Sequence, residues 1–304
     1  MTAEQAPSPA WVAAQYDNRA RVPAASAHLA HWTEASARAR ATLPAHLDLA
    51  YGAGPDDRLD LFPAPGGTRQ APVLVFLHGG YWRALGKADH AFIAPALVAA
   101  GVCVVVPEYS LCPGPPEAPV TIAGITAQVA RATAWVWRHV AAFGGDPANV
   151  TLAGHSAGGQ LAGALLTWPW QTLAPDLPAT LTRKAVSISG LHDLAPLRHW
   201  AALQAAVGLT DAEVAACSPA RRPPPAVGTL HAWVGGDESE EFHRQAHLLR
   251  AAWGPDRVPV CEALPGRHHF TALEALADPT TRLFQETLRL AHAPAPPPGE
   301  GHRA

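Results

Sequence analysis

No stretch of the chain reaches about 18 consecutive apolar residues, so a membrane-spanning helix is not expected. Neither sign of charge dominates. Lys and Arg number 22 against 25 Asp and Glu, a net charge of -3, which speaks against the basic face of a nucleic-acid binder. The four cysteines, Cys103, Cys112, Cys217 and Cys261, form no Cys-x-x-Cys pair and are too scattered for a disulfide framework. No Rossmann-type Gly-x-Gly-x-x-Gly and no Walker-type glycine loop occurs, so no nicotinamide or nucleotide cofactor is implied. The opening residues, Met1 to Pro7, lack the basic and apolar regions of a secretory signal, and a cytoplasmic location is expected.

Apolar residues, by contrast, are plentiful. They make up 48% of the chain against 15% charged, enough for a large buried core and incompatible with disorder over most of its length. Sixteen histidines invite a metal reading. The pairs to test are His28/His31, at helical i,i+3 spacing, and the adjacent His268/His269. Neither pair has companion His, Glu or Cys ligands at metal-binding spacing, so no metal is expected.

Residues 11–42 carry helical spacing, with Leu29 and Trp32 on one face. Leu47–Tyr51 and Arg58–Phe62 read as two short strands joined by a Gly- and Asp-containing turn, which predicts an antiparallel edge. Strands and helices then alternate. Strands are expected at Pro72–Leu77, Val102–Val106, Val150–Ala153, Ala185–Ser189, Thr229–Val234 and Val258–Leu264. Helices are expected at 88–100, Pro119–Phe143, from Ala157, at 240–253 and at 280–291. This alternation predicts an α/β fold with a mostly parallel central sheet, helices on both faces and an N-terminal helical segment over residues 1–45. One domain over residues 1–292 is expected, followed by a disordered Pro-rich tail at 293–304.

Gly154-His155-Ser156-Ala157-Gly158 stands between a strand and a helix-compatible run. A nucleophile on such a sharp turn needs small neighbours two residues away on either side, and both are glycine. His78-Gly79-Gly80-Tyr81-Trp82 follows directly on the strand at 72–77. Its paired glycines let backbone N–H groups approach a ligand, so Gly79 and Gly80, with Ala157, are candidate oxyanion donors. A serine needs a base, and the base needs a carboxylate to orient it. In the α/β-hydrolase order the acid and then the histidine follow the serine. Asp237-Glu238 and His268-His269 each end a later strand, and each is ambiguous by one position. Asp193 is a third carboxylate, better suited to a loop cap. His155 is a neighbour of the serine rather than its base.

These motifs do not stand alone. Gln15-Tyr16-Asp17-Asn18-Arg19-Ala20-Arg21-Val22-Pro23, Tyr51-Gly52, Leu59-Asp60-Leu61-Phe62, Ser189-Gly190-Leu191-His192-Asp193-Leu194 and Glu241-Phe242-His243-Arg244-Gln245 join them. Together they resemble the serine-dependent arylformamidase (kynurenine formamidase) branch of the α/β-hydrolase superfamily over roughly residues 11–290. The family acid stands three residues before the Glu-Phe pair, which lands on Glu238. It is Asp in the better-known members, so Glu here is a departure and Asp237 stays open as the alternative. The family histidine immediately precedes Phe, which selects His269. Where the family has Asp before that histidine, this chain has His268, to which the resemblance assigns no role.

The resemblance implies a serine hydrolase with Ser156, Glu238 and His269 as its triad and no cofactor. Two substrate classes follow from it: N-formyl arylamines such as N-formylkynurenine, or short-chain acyl esters, as in a carboxylesterase. A binding protein that kept the fold but lost the chemistry is opposed by the intact serine, carboxylate, histidine and glycine loop. The expected partner is a small aromatic formamide or ester, with neither nucleic acid nor membrane, and homodimer formation is left open. Tyr81 and Trp82, with Trp11 or Trp32, are the expected aromatic wall for substrate.

Overall fold

The computed structural model describes residues 7–294. From residue 295 onward the expected Pro-rich tail lies outside the described residues. The strands are β1 (His46–Ala50), β2 (Arg58–Phe62), β3 (Ala71–Leu77), β4 (Cys103–Pro107), β5 (Gly145–His155), β6 (Lys184–Ile188), β7 (Thr229–Gly235) and β8 (Cys261–Leu264). They form one sheet in the order β1-β2-β4-β3-β5-β6-β7-β8. The β1–β2 and β2–β4 pairs are antiparallel and every other pair is parallel, so the two leading strands do form an antiparallel edge.

The helices are α1 (Pro9–Tyr16), α2 (Asn18–Arg21), α3 (Ala25–Thr42), α4 (Ala94–Ala99), α5 (Ile122–His139), α6 (Ala157–Leu166), α7 (Trp170–Leu173), α8 (Ala201–Val207), α9 (Asp211–Cys217), α10 (Glu240–Trp253), α11 (His269–Glu274) and α12 (Arg282–His292). Alternate residues of β3 explain why both faces are covered. Val73, Val75 and Leu77 join one apolar cluster with Ile125 and Val129 of α5 and Leu161 and Leu165 of α6. Leu74 and Phe76 join the other, with Trp32 of α3, Leu97 of α4 and Phe284 of α12. A strand buried on both faces is apolar throughout, which is how its sequence reads.

Four expectations need correcting. The helix expected at 88–100 is two single 3₁₀ turns, Lys87–Asp89 and Ala91–Ile93, followed by the short α4. Pro95 lacks an N–H and tolerates only the first turn of a helix, so the α-helix starts at Ala94. The helix expected from Pro119 starts at Ile122, where the Thr121 side chain accepts the Gly124 amide, and its last turn, 140–143, tightens to 3₁₀ before Gly144 at φ 84°. The strand expected from Val258 forms only from Cys261, since Pro259 interrupts the donor row. The N-terminal helical run is three helices, broken where the Asp17 side chain turns to cap α2 and again at Pro23.

Buried polar groups fasten that N-terminal segment to the domain. Gln245 of α10 is fully buried. Its Oε1 accepts the amides of His192 and Asp193 at 2.6 and 2.7 Å, and its Nε2 donates to Asp193 O and to the Tyr16 hydroxyl. Tyr16 in turn donates to Glu241 Oε2 at 2.6 Å, and Arg244 Nε donates to Glu241 Oε1 at 2.7 Å. Burial, followed by the neighbouring Glu241 charge, pushes the Tyr16 phenol up, so it remains a donor. On the other side Asp60 of β2, fully buried, accepts from Lys87 Nζ, Arg40 Nε and the Asp48 amide, which ties α3 to the sheet edge. Gln245→Ala leaves two buried amides, a carbonyl and a hydroxyl short of partners. It should lower stability by about 2–4 kcal/mol, read as a fall in the urea midpoint at unchanged m-value.

Candidate active site

Ser156 sits between β5 and α6 at φ 55°, ψ -117°, a region that side-chain-bearing residues rarely enter. The surrounding backbone leaves it no alternative. A Cβ on Gly154 would lie 2.1 Å from Gly158 O, and one on Gly158 would lie 1.9 Å from Leu77 O. Strand β5, the first turn of α6 and the end of β3 are thus packed backbone against backbone. The Ser156 amide donates to Ile188 O at 2.8 Å, pinning the turn to β6 as well.

The loop after β3 is packed in the same way. A Cβ on Gly79 would meet His155 O at 3.0 Å and Ser156 Cβ at 3.3 Å, while Gly80, at φ 112°, has Ala84 O where its Cβ would be, at 1.9 Å. His78 anchors the loop from beneath. Its Nδ1 donates to Gly79 O at 2.8 Å, its Nε2 lies 3.0 Å from Glu108 Oε1, and its ring stacks on Tyr109 at 3.9 Å. Burial would raise the Glu108 carboxyl. Its contact with His78 and the amides of Lys87 and Tyr109 outweigh that and hold it below the usual carboxylate range. Of the candidate oxyanion donors, Gly80 lines the cavity beside Ser156, Ala157 is the first residue of α6, and Gly79 is packed against the serine.

Glu238 and His269 come together. Glu238 Oε2 lies 2.7 Å from His269 Nδ1, and its Oε1 accepts the Ser189 hydroxyl and, at 2.7 Å, the Gly235 amide. Gly235 makes room for this: a Cβ there would stand 2.3 Å from Arg267 O and 3.0 Å from the Glu238 carboxylate. Asp237 is exposed, and among the described residues only its amide is engaged, with Arg267 O. His268 caps α11, its ring accepting the Thr271 amide and packing edge-on to His28. Asp193 pairs with Arg221 at 2.7 Å and accepts the Ala195 amide, the loop-capping role expected of it.

His155 is buried behind the pair, donating from Nε2 to His269 O at 2.9 Å, with the two ring centres 4.5 Å apart. Burial first, and then the His269 and His90 imidazoles, push it well below the ordinary histidine range, so it adds no second cation there. Ser156 and His269 line one cavity of about 460 Å³, and no hydrogen bond joins their side chains among the described residues. Hydrogen bonds of this type are often long without substrate.

The cavity wall differs from the expected one. Tyr81 lines it, held by its hydroxyl bond to Tyr16 O at 2.6 Å. Trp82 does not. It is fully buried, with Nε1 donating to Gln160 Oε1, so it packs the loop onto α6 and cannot face substrate. Trp11 is exposed and outside the cavity, whereas Trp32 both lines it and bonds Glu274. Trp200 and Phe270 complete the aromatic wall. Sequence reasoning missed both, although Phe270 follows His269 directly. Among the described residues no cluster of three or more His, Cys, Asp or Glu could hold a metal ion, and no helix is long and apolar enough to cross a membrane. His28 is bonded to Glu274 and His31 is exposed.

Residues 58–218 match the model of the carboxylesterase family. A kynurenine formamidase from Salmo salar is 27% identical over 272 residues, 86% of this chain and 87% of that one. A crystal structure from Silicibacter sp. tm1040, described as a candidate thioesterase, superposes with TM-score 0.78 at 31% identity, covering 92% of this chain and 98% of that one. A Pyrobaculum calidifontis esterase, at TM-score 0.63 and 18% identity, covers 88% and 96% and shares the α/β-hydrolase fold. The crowding at the elbow yields a direct test. Gly158→Ala places a methyl on the Leu77 carbonyl and should destabilise the protein by about 3 kcal/mol or more, with loss of Ser156 labelling by a serine-directed phosphonate. A variant that melts and labels like the parent would show that the end of β3 yields to the turn.

Proposed function

We propose that this chain, which belongs to the carboxylesterase family, hydrolyses N-formyl arylamines such as N-formylkynurenine to the arylamine and formate. The observation that carries this reading is a serine-containing cavity of about 460 Å³ that places four aromatic side chains, Trp32, Tyr81, Trp200 and Phe270, around Ser156. A formyl group is the smallest acyl group and needs little space beside the serine, which leaves the aromatic wall for the leaving arylamine. The match to a kynurenine formamidase over most of both chains supports the same reading.

In this mechanism Ser156 Oγ attacks the formyl carbon while His269 Nε2 takes the hydroxyl proton. Glu238, bonded to Nδ1, fixes the imidazole tautomer and stabilises its charged form. The tetrahedral oxyanion is held by amides drawn from Gly79, Gly80 and Ala157. His269 then returns the proton to the arylamine nitrogen, the C–N bond breaks, and the formyl-serine is hydrolysed by a water that His269 deprotonates. Tight hydrogen bonding leaves the Glu238 carboxylate no freedom to rotate away, since both of its oxygens are engaged.

Two tests follow. Ser156→Ala and His269→Ala should each lower kcat/KM about a thousandfold or more, and Glu238→Gln comparably, while Asp237→Asn and His268→Ala retain substantial activity. Reversed severity within either neighbouring pair would shift the assignment by one residue. Substrate choice is read from kcat/KM for N-formylkynurenine against p-nitrophenyl acetate, butyrate and hexanoate. The expected order is formamide first, with ester rates falling as the acyl chain lengthens. Efficient butyrate cleavage without turnover of N-formylkynurenine would make the protein a short-chain carboxylesterase.

A further inference from the structure

The cavity beside Ser156 carries polar groups for which the proposed chemistry has no use, and one of them is unsatisfied. Asn18, on α2, is 6% exposed and lines the cavity, and its Nδ2 donates to nothing among the described residues. Native structures rarely leave a buried amide donor bare, because the group forfeits its hydration without replacement. Arg83, half-buried on the loop after β3, lines the same cavity. One of its Nη atoms donates to Ala202 O at 2.6 Å, and its guanidinium carbon lies 5.9 Å from the Trp200 ring centre. These contacts fix the guanidinium while leaving its other N–H groups uncommitted among the described residues.

Arg19, exposed but also lining the cavity, makes no side-chain hydrogen bond or ion pair among the described residues. Asp17 is the one carboxylate among the described residues lining this cavity, and its Oδ1 already accepts the Ala20 amide as the cap of α2. Two cations and an unpartnered amide donor therefore stand against one partly committed carboxylate. That is donor capacity and positive charge in excess, on a wall otherwise made largely of aromatic and aliphatic side chains.

We propose that Asn18, Arg19 and Arg83 form a carboxylate-reading pole of the cavity, selecting aryl formamides whose leaving arylamine carries an anionic side arm. The proposal rests on the formamidase reading above and narrows its substrate class. The arm of N-formylkynurenine, an α-amino acid, has the required carboxylate, and its ammonium finds a counter-charge in Asp17. A guanidinium with free N–H groups and an amide donor suit the two oxygens of a carboxylate, and the partial burial of Arg83 and burial of Asn18 strengthen such bonds.

The experiment compares ligands that differ by this carboxylate alone. N-formylkynurenine and its decarboxylated analogue N-formylkynuramine are assayed for kcat/KM. Kynurenine and kynuramine are assayed as inhibitors of p-nitrophenyl acetate hydrolysis. The wild type should prefer the carboxylate-bearing member of each pair by about tenfold or more. That ratio should fall toward one in Arg83→Met and Asn18→Ala, fall further in Asn18→Asp, and recover in part in Arg83→Lys. Because each variant is compared with itself on two ligands, a loss of folded protein or of serine reactivity cancels from the ratio, and thermal melts report the fold separately. Equal constants within each pair for the wild type, or a preference that survives both Arg83→Met and Asn18→Ala, would overturn the proposal. If neither formamide is cleaved while the acetate is, the formamidase reading fails. The inhibition ratio then decides the pole by itself: preference for kynurenine upholds it and equal inhibition refutes it.

Discussion

The site depends on backbone crowding where β3, β5 and α6 meet. Gly158 has the Leu77 carbonyl where a side chain would be, and Gly154 has the Gly158 carbonyl. Nothing larger than hydrogen fits at either position, so the three elements approach more closely than side chains would permit. That approach holds Ser156 at a positive φ, and it aligns the Gly79–Gly80 loop against the same residue. Strain at Ser156 persists because packing on three sides over-determines it. The glycines are therefore structural requirements of the turn.

A second layer of order comes from buried polar groups that link distant segments. Gln245 joins α10, the loop after β6 and Tyr16 of α1 through four hydrogen bonds. Tyr81, on the loop that carries the candidate oxyanion glycines, donates to the Tyr16 carbonyl. The N-terminal segment is thus clamped to the cavity it helps to line, and the segments that resemble the arylformamidases turn out to be partners of one another. Gln15-Tyr16, His192-Asp193 and Glu241 to Gln245 are far apart in the chain and adjacent in space. Partly satisfied networks of this type are costly and fully satisfied ones specify a single arrangement.

Electrostatics around His269 are arranged by burial. Glu238 meets it on one side with both carboxylate oxygens engaged. On the other side stands His155, which burial and its neighbours hold well below the ordinary histidine range, and beyond it His90, which burial pushes down to about 3. The His155 ring packs against His269 without opposing the positive charge that proton transfer would place on it.

The sequence by itself determined what depends on neighbours along the chain. Central strands such as β3 and β4 were legible because a doubly covered strand is apolar throughout, and the serine turn was legible because its steric demands fall on residues two positions away. The boundaries that moved were set by Pro95, Thr121 and Pro259, whose effects are local. Only the tertiary structure decided which of two adjacent, chemically similar residues faces inward. Asp237 and Glu238 differ by one methylene in sequence, yet the turn after β7 exposes the first and buries the second against His269. Resemblance pointed to Glu238 and His269, and composition could not. The same reason separates Trp82 from Trp200. A tryptophan beside an oxyanion loop looks suited to substrate, but Gln160 draws the first into the core, while the second reaches the cavity from more than a hundred residues away. Burial direction and long-range proximity are properties of the packed chain, and no local pattern encodes them.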